Sequence, residues 1–186
     1  MGRTPRRKTL CEIMQKLLII LILPIVVHLI MSFDFRNINN NHSMTSTNYY
    51  PDIPDSNDPL VVRTWFDDNK EWNSISVELT KTYEMGFKAY VEFLDDKNYH
   101  MCSSDEIVKL CKSKYKHTFI FVADSLTFSN SEKSVLCIDL FEEPGKSFRV
   151  IPSELWGIEN NLSIANMDFF EFYDNCDSDG VFRGFN

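Results

Sequence analysis

Residues 60–79, LVVRTWFDDNKEWNSISVEL, decide the fold. Leu60 to Phe66 is a β-rich apolar run entered from Pro59. Asp67 and Asp68 then stand where a helix N-cap belongs, ahead of Trp72, Ile75, Val77 and Leu79. The stretch reads as strand then helix, and the same unit recurs downstream. Phe87 to Leu94 (FKAYVEFL) alternates as a second strand after Gly86 and is closed by Asp95 and Asp96. Ser103 and Glu106 form a capping-box pattern before Ile107, Val108, Leu110 and Cys111, whose spacing lays an apolar stripe on one helix face. Thr118 to Ala123 (TFIFVA) supplies a third strand. Strand, helix, strand, helix, strand implies right-handed crossovers and a parallel sheet.

The pattern changes after residue 123. Val135 to Phe141 (VLCIDLF) and Phe148 to Ile151 (FRVI) flank the turn EEPGK, residues 142–146, and predict an antiparallel hairpin. Pro152 and Ser153 start a helix through Trp156, Asp168 caps a last helix over 169–173, and the tail GVFRGF, 180–185, is expected to pack back on the domain. The expected architecture is an α/β three-layer sandwich over residues 60–186. Its mixed sheet has a parallel βαβαβ front half, followed by an antiparallel hairpin and C-terminal helices.

The chain before this domain has a different character. Arg3, Arg6, Arg7, Lys8 and Lys16 precede LLIILILPIVVHLIMSF, residues 17–33, which lacks formal charge. At the helical rise this run spans about 25 Å, a little under the hydrocarbon core, which Lys16 extends by snorkelling. Residues 1–33 are therefore read as a basic flank and an uncleaved signal anchor. The alternative is secretion after cleavage, for which Ser32 offers a poor site. The positive-inside rule puts the N-terminus in the cytoplasm and the domain in the lumen or outside the cell. Residues 34–59, polar and Asn-rich, read as a flexible tether. Asn41 opens a glycosylation sequon there, whereas the sequon at Asn161 falls inside the domain.

Residues 60–186 hold 13 Lys/Arg against 22 Asp/Glu, a net charge of −9. That surface repels phosphate backbones and excludes nucleic acid as the expected partner.

FEEPGKSFRVIPSELWGIENNLSIANMDFFEF, residues 141–172, followed by DGVFRGF, 179–185, resembles a family of small, mainly bacterial domains, domain of unknown function 6924. The resemblance extends more weakly through VVRTWF, GFKAYVEFLDD and FIFVAD, and so covers nearly all of 60–186. It implies no activity, so no catalytic residue is carried over. The anchor and tether depart from the family pattern.

Two groups of residues invite a functional reading. With parallel strands, Asp67/Asp68, Asp95/Asp96 and Asp124 all fall at carboxyl ends, where open α/β sheets hold ligands. Asp68, Asp95 and Asp124 are the candidate ligands of a hard cation such as Mg²⁺, and on this reading the domain is a metal-assisted hydrolase or phosphoryl-handling enzyme. Capping and turn formation explain the same aspartates without metal. The second group is Trp156, Glu159, Asn160, Asn161 and Asn166 with Arg149 and Arg183, a mixture suited to recognising a ligand or partner, or to tying an irregular loop to the sheet. Cys137 alternates with apolar neighbours and reads as a buried hydrophobe, and Cys102 to Cys111 is the bridge an oxidising compartment permits. No CxxC, HExxH or GxSxG is present. The expected function is that of a membrane-tethered, noncatalytic binding or interaction domain, with the metal-assisted enzyme as the alternative.

Overall fold

The computed structural model describes residues 49–83, 86–111 and 114–185. The expected anchor at 17–33, the Asn41 sequon and Cys11 lie outside the described residues. Among the described residues no helix is long and apolar enough to cross a membrane.

The elements run β1 (Leu60–Arg63), α1 (Asn69–Leu79), β2 (Glu92–Leu94), a 3-10 turn (Lys97–Tyr99), α2 (Ser104–Cys111), β3 (Phe119–Ala123), α3 (Ser125–Ser129), β4 (Val135–Asp139), β5 (Ser147–Val150), a second 3-10 turn (Pro152–Glu154), α4 (Leu155–Ser163), α5 (Phe169–Tyr173) and β6 (Val181–Phe182). One six-stranded sheet has the order β2-β1-β3-β4-β5-β6. β1 pairs in parallel with β2 and with β3, while β3-β4 and β4-β5 are antiparallel. The parallel front half and the hairpin are thus as expected. The tail does return to the domain, adding β6 parallel to β5.

Both sheet faces are covered, for a reason of chain direction. The crossover from β1 to β2 moves one way across the sheet and that from β2 to β3 moves back, so right-handed connections must put their helices on opposite faces. On one face α1, α4 and α5 cover Val61, Phe119, Phe121, Val135, Cys137, Phe148 and Val150. On the other, α2 covers Leu60, Val62, Ile120, Val122 and Ile138.

Several boundaries differ from expectation, β1 ending at Arg63 rather than Phe66 and β4 at Asp139 rather than Phe141. The second strand is only Glu92–Leu94, not 87–94. Its neighbour β1 begins at Leu60, which lies opposite Glu92, so Phe87 to Val91 have no strand to join. Helix α4 continues beyond Trp156 to Ser163, and α3, unanticipated, is held by the capping box of Asp124 and Thr127. The packed unit also begins near Tyr49 rather than at Leu60. Ile53 is fully buried against α2, and its N–H donates to the Leu110 carbonyl at 3.2 Å. The Tyr99 hydroxyl donates to the Asp52 carbonyl at 3.0 Å, and Lys116 pairs with Asp55. Residues 50–58 are therefore a strap bound to the domain, and a single isoleucine in a polar stretch was the signal for it.

Candidate functional site

The strand-end aspartates do lie at the carboxyl edge, but Asp68, Asp95, Asp96 and Asp124 are already engaged, and Asp67 is exposed. Asp68 caps α1, its Oδ1 accepting the Glu71 N–H at 2.8 Å. Asp96 caps the first 3-10 turn, accepting the Asn98 N–H at 2.9 Å. Asp95 accepts from Arg63 at 3.2 Å and from the Trp72 indole at 3.0 Å. Asp124 caps α3 and pairs with Arg149 at 2.5 Å. Among the described residues, no three His, Cys, Asp or Glu side chains are grouped so as to hold a metal ion.

Arg63 is the organiser of this edge, and sequence reasoning missed it. The last residue of β1 is only 2% exposed. Its Nε donates to the Trp65 carbonyl at 2.8 Å and its terminal nitrogens to Asp95 and to Asn69 Oδ1 at 2.9 Å. The guanidinium also faces the rings of Phe66, Trp72 and Phe128 at 4.3, 5.2 and 5.7 Å. A buried cation needs this degree of satisfaction, because desolvation is otherwise expensive. Its partners lie in α1, in α3 and in the segments that follow β1 and β2, which it ties together.

The Asn/Trp group separates into four sets of contacts. On α4, Trp156 stacks on Phe87 with centroids 4.6 Å apart and planes at 14°. Glu159, 4% exposed, accepts from the Tyr90 N–H at 2.9 Å, from Asn160 at 2.9 Å and from the Ser163 hydroxyl at 2.8 Å. Asn160 also donates to the carbonyls of Trp156 and Lys88. These side chains hold residues 87–90 where the sheet provides no partner. Asn161 donates to the Gly157 carbonyl and Asn166 to Asn161, closing the end of α4 around Ala165, whose φ is 52°. Arg149 belongs instead with Asp124. Arg183 sits among Glu132, Asp177 and Asp179 at 2.7–2.8 Å and holds Glu132 and Asp179 below the usual carboxylate range.

Glu159 carries a pH signature. Burial pushes its carboxyl upward, against the lowering effect of the Tyr90 N–H and the Ser163 hydroxyl. A carboxyl whose folded-state pKa is raised stabilises the fold fully below its unfolded-state pKa, and that contribution is lost as pH rises through the folded-state value. The stability of Glu159→Gln relative to wild type is therefore expected to rise as pH climbs from about 4, then level off. Urea melts of both proteins across that range measure it. A difference that falls with pH would show the hydrogen bonds outweighing burial.

At the opposite edge of the sheet a hollow of about 300 Å³ lies between the start of β3, the β4–β5 turn and the α4–α5 connection. Phe119, Leu162, Met167 and Phe169 are among its lining residues. Phe141 on its rim is 71% exposed, and Ile164 beside Ala165 is 75% exposed. Asp139 shapes the turn, its two carboxylate oxygens accepting the Phe141 and Glu143 N–H groups at 2.9 and 2.6 Å. Phe141 was expected as the last residue of its strand, but β4 ends at Asp139 and leaves the ring in the turn.

The four described cysteines are free. Cys102 precedes the Ser103 cap and Cys111 is the last residue of α2, and the bridge between them is not formed, both being free thiols in one buried cluster. Cys102 instead packs in one cluster with Ile107, in the manner of a staple at a helix start. Burial pushes both thiols up to about 12, and Cys137 is buried as expected.

These observations define a mixed-sheet α/β domain whose charged groups at the carboxyl edge serve the fold. The chain belongs to the family described as domain of unknown function DUF6924, whose sequence model matches residues 58–185. No curated protein matches the chain.

Proposed function

We propose that this is a noncatalytic interaction domain, presented to a protein partner behind a membrane anchor at residues 17–33. One observation carries the reading. The ionisable side chains offered for catalysis, Asp68, Asp95 and Asp124, are engaged in caps and in pairs with Arg63 and Arg149. A metal site built on them would have to displace those cations and caps first. The net charge of −9 over residues 60–186 supports a protein partner over nucleic acid.

The test is calorimetric titration of the chain with Mg²⁺ and Mn²⁺ at millimolar concentration, together with a phosphomonoester turnover assay. Neither heat nor turnover is expected. Binding heat and metal-dependent turnover that both vanish in Asp95→Asn would overturn the reading in favour of a metal-assisted hydrolase.

A further inference from the structure

We infer that the hollow between the start of β3, the β4–β5 turn and the α4–α5 connection is the docking point. It receives a partner-protein segment that presents an apolar side chain flanked by lysine or arginine. This deepens the interaction reading above and rests on it.

The hollow's shape suits one large side chain more than an extended ligand, since about 300 Å³ is the lower end of the range for small-molecule sites. Its apolar surface does not stop at the cavity. Phe141 lines the cavity and is 71% exposed, and Ile164, exposed as well, lies in the chain between the lining residues Ser163 and Ala165. An exposed aromatic beside a pocket is the arrangement in which interface energy concentrates. Glu159 and Arg63, by contrast, lie buried in internal networks.

Charge selects the kind of segment. Glu142 and Asp168 line the hollow with exposed carboxylates, and among the described residues neither is paired with Lys or Arg, while Asp139 lies buried with both oxygens on backbone N–H groups. The one lysine in the lining, Lys116, is drawn off to Asp55, and the His117 ring nitrogen meets the Ser56 carbonyl at 3.2 Å. The uncompensated charge around the apolar floor is therefore negative. A segment bearing cations on either side of its apolar residue complements it, and an anionic one is repelled.

The experiment uses the full chain in phosphatidylcholine nanodiscs, with empty nanodiscs as the blank. The probes are three labelled nonapeptides of Gly and Ser, carrying Lys-Phe-Lys, Glu-Phe-Glu or Lys-Ala-Lys at the centre. The Lys-Phe-Lys peptide is expected to bind saturably, roughly tenfold more tightly than either of the others, and to weaken as salt rises. Phe141→Ser should reduce its affinity by about tenfold or more, and Glu142→Gln by a smaller factor. Val77→Ser, at an exposed position on α1, should leave it unchanged. Both Phe141 and Glu142 are exposed, so these variants keep the fold. No saturable binding, equal binding of the three peptides, or a preference for Glu-Phe-Glu overturns the inference. Binding that survives Phe141→Ser removes this site but leaves the interaction reading standing. That reading fails separately, on metal-dependent turnover.

Discussion

Arg63→Met is expected to lower the unfolding free energy by about 3 kcal/mol, the range for breaking a buried ion pair from one side. The substitution keeps much of the apolar stem but removes the donors to Trp65, Asp95 and Asn69 and the charge facing three rings. Asp95 is not left as a fully buried orphan, since its side chain is 45% exposed and water can replace the guanidinium. For the same reason Asp95→Asn should cost only about 1 kcal/mol, the net worth of a typical hydrogen bond. Arg63→Lys should fall near the methionine variant, because a lysine cannot serve three acceptors in a planar fork. Guanidinium chloride melts of the three proteins check the order. Equal losses for Arg63→Met and Asp95→Asn would show that the ion pair, and not the boxed cation, holds the edge.

A chain trimmed to begin at Leu60 is expected to lose more. It would forfeit the burial of Ile53, the Tyr99–Asp52 and Ile53–Leu110 hydrogen bonds and the Lys116–Asp55 pair. Truncating a fully buried isoleucine to alanine alone costs about 2–5 kcal/mol. Ile53→Ala in the full chain should reproduce most of the trimmed protein's loss. Lys116→Ala should contribute little, because its side chain is exposed and such pairs are worth at most about 1 kcal/mol. The family match starts at residue 58, so a boundary placed there removes the strap. Identical melting midpoints for the trimmed and full chains would show that the strap is a passenger.

Features governed by near neighbours were legible in the sequence. Asp68 as an N-cap, the Ser103/Glu106 box and the turn at Pro144-Gly145 all depend on residues within a turn of one another, and all appear as read. Pairings across the chain were not. Arg63 and Asp95 lie 32 residues apart, Asp124 and Arg149 25, and no local pattern ties a strand-end cation to a distant carboxylate. The aspartates were therefore visible as a group while their partners were not. The second strand was overextended for a related reason: alternation in Phe87 to Val91 satisfies a strand only where another strand runs alongside. Glu159 takes the Tyr90 N–H in its place, so a residue first read as part of a recognition surface turns out to finish an edge. The Phe141 hollow assembles from residues 116 to 169 and could not be seen before the fold was known.

Both margins of the sheet are brief, three residues in β2 and two in β6. An edge of that length leaves almost no run of open backbone groups for a second sheet to copy. Molecules of this kind can be crowded side by side without zipping into continuous β-structure, and encounters between them are left to side chains alone.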